Sequence, residues 1–96
     1  MRMILRTQVD AMQGGQAIRS GEMMKAFTAF VEKYKPEAVF FTNFDGMRTG
    51  FCVFEMKSQH EMPLIAEPFF DLGYTVQFAP CMTPEDFQRA MTESAS

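Results

Sequence analysis

Apolar and polar residues alternate from Met3 to Val9, with Met3, Leu5 and Val9 on one side and Ile4, Arg6 and Gln8 on the other. That period of two predicts a half-buried strand. Asp10 to Gly15 follows, and Gly14-Gly15 is expected to break the chain there. From Gln16 to Lys35 the period changes. Met23, Met24, Phe27, Phe30, Val31 and Tyr34 recur at three- and four-residue steps, while Lys25, Glu32 and Lys33 fall on the opposite side. The stripe predicts an amphipathic helix, irregular at its start because Gly21 lies inside it and stopped by Pro36.

Two apolar runs come next, Ala38 to Phe41 and Phe51 to Phe54, on either side of Asp45-Gly46. Asp-Gly between β-forming runs predicts a hairpin closed by a type I′ turn, which needs positive φ at both central residues. With that turn, Phe44 lies opposite Met47, Asn43 opposite Arg48, Thr42 opposite Thr49 and Phe40 opposite Phe51. One face then carries Ala38, Phe40, Phe51 and Val53. The other carries Val39, Phe41, Cys52, Phe54 and Met56. Both faces are apolar, so both need a cover.

Ser58 to Phe70 reads as a second helix, opened by a capping box of Ser58 and Glu61, with Leu64, Ile65, Phe69 and Phe70 toward the sheet. Pro63 and Pro68 are expected to bend or interrupt it, and Gly73 to cap its end. Tyr74 to Ala79 alternates as a fourth strand, ended by Pro80. Thr83-Pro84-Glu85-Asp86 is a helix start, with Thr at the N-cap and Pro at the first helical position. Phe87, Ala90 and Met91 are expected to dock this last helix, and Glu93 to Ser96 to fray.

The order β-α-β-β-α-β-α is the split βαβ, ferredoxin-like α+β pattern, with the main helices on one face of a four-stranded antiparallel sheet. The other face is bare, yet the hairpin offers it large apolar side chains. Burying each Phe is worth roughly 1.5–3 kcal/mol. A second copy is the simplest cover, because two-fold dimers dominate soluble oligomers. The sequence therefore predicts a homodimer joined through the sheet face.

Composition narrows the functions. Ninety-six residues suit a single domain spanning residues 1–96. Eleven Phe and ten Met, without Trp, make a soft apolar interior that suits irregular packing or a hydrophobic ligand. Net charge is −3 and the basic residues are scattered, so nucleic-acid binding is not expected. No apolar run reaches the length of a membrane span and no signal peptide is visible, which points to a cytoplasmic protein. Cys52 and Cys81 are far apart, and a lone histidine leaves no metal-ligand spacing, so neither metal nor cofactor is expected.

Three segments carry a resemblance. Arg48-Thr49-Gly50-Phe51, then Pro63 to Phe70 (PLIAEPFF), then Pro80 to Asp86 (PCMTPED) are similar to segments of a family of bacterial proteins of comparable length within the dimeric α+β barrel superfamily. Ala17 to Gly21 (AIRSG) is similar as well. The resemblance implies a homodimeric ferredoxin-like fold and no activity. The wider superfamily includes cofactor-free monooxygenases, haem-degrading enzymes, chlorite dismutase-like proteins and muconolactone isomerases. No residue here matches the catalytic set of any of them.

Five side chains are weak candidates for a site. His60 alone titrates near neutrality, but the plainer reading is an exposed first-turn residue. Arg48 is a solvated hairpin end or an anion clamp, since guanidinium binds carboxylate through two nitrogens. Arg6 sits in the middle of a central strand, where a charge must be paired or line a polar pocket, with Glu55 a possible partner. Glu67 interrupts an apolar segment, and either faces water or is a carboxylate of raised pKa. Tyr74 either packs with a wet tip or closes a pocket with its hydroxyl. The reading these residues support is a protein that binds a small apolar or aromatic molecule, in a pocket between the sheet and a proline-bent second helix. The alternative is a cofactor-independent monooxygenase or isomerase.

Overall fold

The computed structural model describes residues 1–95. β1 (Arg2–Val9) shows the alternation in its sequence: Met3, Leu5, Thr7 and Val9 are buried, and Arg2, Ile4, Arg6 and Gln8 are half-buried on the other side. It is followed by α1 (Ala11–Ser20), α2 (Glu22–Tyr34), β2 (Ala38–Phe44), β3 (Met47–Glu55), α3 (Glu61–Phe70), β4 (Thr75–Pro80) and α4 (Pro84–Ala95). The strands form one antiparallel sheet in the order β2-β3-β1-β4. With helical crossovers after β1 and after β3, this is the ferredoxin-like α+β fold. No helix among the described residues is long and apolar enough to cross a membrane.

The hairpin follows from its turn. Asp45 and Gly46 have φ of 58° and 71°, the positive pair of a type I′ turn. Phe44 pairs with Met47, Asn43 with Arg48, Thr42 with Thr49 and Phe40 with Phe51, which is the register expected from the sequence. Cys52, Phe54 and Met56 go under the helices. There Phe30 of α2 meets the Phe54 ring edge-on at 5.3 Å and stacks on Tyr34 at 5.2 Å. Among the described residues no helix covers the opposite face. On it Phe40 is 67% exposed and Phe44 48% exposed, the latter edge-on to Phe51.

Four expectations about the helices are corrected. First, Gly14-Gly15 does not break the chain. Asp10 caps α1 by accepting from the Gln13 N–H at 3.1 Å, and both glycines lie buried inside that helix. Second, Gly21, at φ 83°, divides the segment into two helices that bend apart; its N–H donates to the Ile18 carbonyl at 3.1 Å, ending α1 in the left-handed geometry that suits glycine. Third, α3 starts at Glu61 and not at Ser58. The Ser58 hydroxyl bonds the His60 ring at 2.9 Å, and the Glu61 carboxylate accepts from the Lys57 N–H at 3.3 Å, so no capping box forms. The later start puts Pro63 in the first turn, where its missing N–H costs nothing, and Pro68 alone is inside the helix. Ile65, Ala66 and Phe69 take the buried side, whereas Leu64 and Phe70 are exposed.

Fourth, α4 does not dock. It is well started, since Thr83 Oγ1 accepts from the Asp86 N–H at 3.1 Å and Asp86 returns the bond to the Thr83 N–H at 3.2 Å. The backbone N–H and the hydroxyl of Thr83, both set against the Asp86 carboxylate, hold its pKa below the ordinary value. Yet none of its described residues is buried, and Phe87 and Met91 are half exposed. The expected fraying from Glu93 is not seen, since helix continues to Ala95, while Ser96 lies outside the described residues. The molecule measures 55 × 28 × 18 Å with a radius of gyration of 15.5 Å, against roughly 13 Å for a compact chain of this size.

Candidate functional site

β2 and β3 extend beyond the helices that cover them. Val39 is half-buried and Cys52 buried beneath the helical layer. Phe41 projects from the same face one step further along, and it is 64% exposed. The α1–α2 elbow at Gly21 stands off from this distal part of the hairpin. The space between them is a cavity of about 670 Å³, which is the size of a small-molecule site. Ile18, Met23, Met24 and Phe27 line it from the helices, and Phe41 and Met47 from the hairpin. Phe27 and Phe41 meet edge to face at 5.5 Å across it. Met24 and Ile18 are more than half exposed, so the cavity has an open mouth on the elbow side.

Polar groups enter at its floor. Thr7 is buried there, and Tyr74 and Arg48 complete the wall; the Thr49 hydroxyl accepts from the Gln8 side-chain amide at 3.2 Å on the other face of the sheet. Thr7 is a polar residue on the core face of β1. It sits opposite Gly50, where an added Cβ would lie 3.0 Å from the Thr7 hydroxyl and 3.4 Å from the Phe41 ring. Gly50 thus lets the Phe41 ring lie flat across the strand and form cavity wall. Tyr74 is 7% exposed and packs against Phe69 at 6.3 Å. Burial pushes its phenol pKa up, and the nearby positive Arg48 partly offsets this.

Arg48 is the one charged residue among those that line the cavity. β3 presents it to the helical layer, and its Nε donates to the Ala11 carbonyl at 3.1 Å. Its side chain lies along α1. A Cβ on Gly14 would come within 2.6 Å of both Arg48 Cδ and Val9 Cγ1. Gly14 therefore allows α1 to close on β1 with the arginine between them. Two features of the sequence, a supposed helix breaker and a hairpin-end arginine, are parts of one contact.

The five candidate side chains separate. Arg48 and Tyr74 come together in the cavity wall. Arg6 is on the opposite face of the sheet. Its Nη2 meets Asp45 across the hairpin at 3.4 Å, and its Nε is buried without a hydrogen-bond partner. Glu55 shares that face but stands opposite Arg2, where its carboxylate takes the N-terminal ammonium. His60 is exposed and bonded to Ser58, and Glu67 is exposed on α3. The pocket is thus not beside the proline-containing helix α3, as the sequence suggested, but at the α1–α2 elbow. Thr7, Met23, Phe27 and Phe41 were not singled out from the sequence, where they read as core or strand positions. The one signal for them was Gly21 inside a helical stripe.

Among the described residues no three His, Cys, Asp or Glu gather in a way that would hold a metal ion. Cys52 is buried and its thiol pKa is pushed up to about 11, so it is protonated at neutral pH. The cavity can hold an apolar body, offer it Met and Phe surfaces, and meet it at one end with a guanidinium and a phenol.

No family model matches the chain, and no curated protein matches it. Among solved structures it is similar to a candidate antibiotic biosynthesis monooxygenase from Deinococcus radiodurans, at 8% identity and a TM-score of 0.47, over 86% of this chain and 94% of that one.

Proposed function

We propose that the protein binds a small apolar or aromatic molecule in the cavity between the α1–α2 elbow and the hairpin, and that it does so as a homodimer of the α+β barrel kind, joined through the open sheet face. The cavity carries the first part of the reading: about 670 Å³, walled mainly by Ile, Met and Phe side chains and open at one side. The row of Phe40, Phe44 and Phe51 on the uncovered face supports the second. The test is titration with a neutral aromatic probe, 2-naphthylmethanol, followed by protein NMR. Saturable shifts at Phe27, Phe41 and Tyr74 are expected. Shifts confined to Phe40 and Phe44, or none at millimolar probe, would refute the cavity reading.

A second reading, a cofactor-independent monooxygenase or isomerase, is favoured by Tyr74, a buried phenol in the cavity wall that can hand a proton to a bound molecule. Dioxygen uptake or rearrangement of a bound naphthol, lost in Tyr74→Phe with probe binding retained, would support it. Equal turnover in Tyr74→Phe would remove it.

A further inference from the structure

Gly15 brings a second guanidinium beside the first. A Cβ on Gly15 would lie 3.0 Å from Arg19 Nη1 and 3.5 Å from Arg48 Nη2. Two cations thus flank one bare backbone position, Arg19 from the last turn of α1 and Arg48 from β3. Like charges this close repel unless an anion sits with them. The ion pairs among the described residues engage the N-terminus, Arg2, Arg6 and Arg89, and leave Arg19 and Arg48 without a carboxylate. Arg48 uses only its Nε in the fold, on the Ala11 carbonyl. Its terminal nitrogens have no protein acceptor among the described residues. All this is on a protein whose net charge is −3.

We propose that Arg48 and Arg19 receive the acid group of an aromatic carboxylate whose ring lies in the cavity, an inference that rests on reading the cavity as an apolar binding site. The guanidinium fork matches the two oxygens of a carboxylate. The edge-to-face pair of Phe27 and Phe41, with Met23 and Met24 beside it, suits a flat ring, because ring edges favour aromatic faces and thioether sulfur makes favourable contacts with ring edges. With no Asp or Glu in the wall, nothing opposes the negative charge. A neutral ring would fill the cavity and leave the two cations without an anion.

The experiment compares 2-naphthoate with 2-naphthylmethanol by ligand fluorescence, which no Trp in the protein masks. The acid is expected to bind about ten- to a hundredfold more tightly than the alcohol, with a preference that shrinks as salt is raised. Arg19→Gln, at an exposed position, reduces the preference about two- to fivefold. Arg48→Met abolishes it. Because Arg48 also holds α1, Arg48→Lys is the companion variant: it keeps the charge, loses the fork, and weakens the acid without weakening the alcohol. Equal affinity for acid and alcohol would overturn the proposal and leave the apolar cavity standing. Binding of neither would overturn both. A preference unchanged in Arg19→Gln and in Arg48→Lys would show that the acid is held elsewhere.

Discussion

Replacing Gly14 by Ala tests the contact that builds the cavity floor, because two effects of opposite sign meet there. Gly in a helix interior costs about 0.5–1 kcal/mol relative to Ala, so a free-standing α1 would be stabilised by the change. Gly14 is not free-standing. The new Cβ would lie 2.6 Å from Val9 Cγ1 and from Arg48 Cδ, about an ångström inside van der Waals contact. The arginine stem can swing away. Val9 cannot, since it is 1% exposed in the central strand. Overpacking of this kind costs about 1–3 kcal/mol. The clash exceeds the propensity gain, and Gly14→Ala is expected to destabilise the protein by about 1–2 kcal/mol, or roughly 4–8 °C in Tm for each kcal/mol. Urea unfolding followed by circular dichroism at fixed protein concentration reads the value. The displaced helix also shifts Arg48, so 2-naphthoate should bind more weakly while the m value is unchanged. A Gly14→Ala variant more stable than the parent would refute the reasoning, since it would mean that α1 is not seated on Val9 and Arg48.

The open sheet face predicts a dimer at micromolar concentration by light scattering, converted to a folded monomer by Phe40→Glu; a monomeric parent protein would contradict it. Cys52 predicts a loss of stability in alkali. Its thiol pKa is about 11 in the folded chain against 9.0 in the reference state, so the folded state holds the proton more tightly. The associated stability is complete below pH 9 and is lost as pH rises from there to about 11. Two pH units at 1.36 kcal/mol each make the loss about 2–3 kcal/mol. Cys52→Ala lacks this ionisation, and parallel pH–stability curves for the two proteins would rule the effect out.

What could be read from the sequence was what is decided locally. Asp45-Gly46 sets its own backbone geometry, and the turn then fixes every pair of the hairpin, so register and faces followed from a dipeptide. Alternation in β1 worked for the same reason. Gly14-Gly15 misled because its purpose is tertiary: the glycines admit Val9 and the Arg48 stem, and nothing nearby in the sequence names those partners. The start of α3 was misjudged because Ser58 and Glu61 have capping-box spacing, while their side chains bond His60 and the Lys57 N–H instead. That shift of a few residues decided whether Pro63 was a bend or harmless. Arg48 and Tyr74 stood out as a cation and a phenol at strand ends. The cavity they share depends on the bend at Gly21, which turns part of an ordinary-looking core stripe, Met23 and Phe27, into wall.

β1 precedes both of its neighbours in the sheet. Its hydrogen-bond partners are β3 and β4, which begin at Met47 and Thr75. As the chain is synthesised, Met3, Leu5 and Val9 therefore have an apolar side and two open ladder edges until β3 is made, and one open edge until β4 is made. The hairpin can close on its own turn within microseconds, but the strand at the centre has to wait for residues far along the chain. Such long-range pairing slows folding and exposes unpaired edges to aggregation. The half-buried Arg6, in the middle of that strand, gives the waiting segment a charge that opposes pairing with another copy. It serves the strand before the fold exists as well as the sheet afterwards.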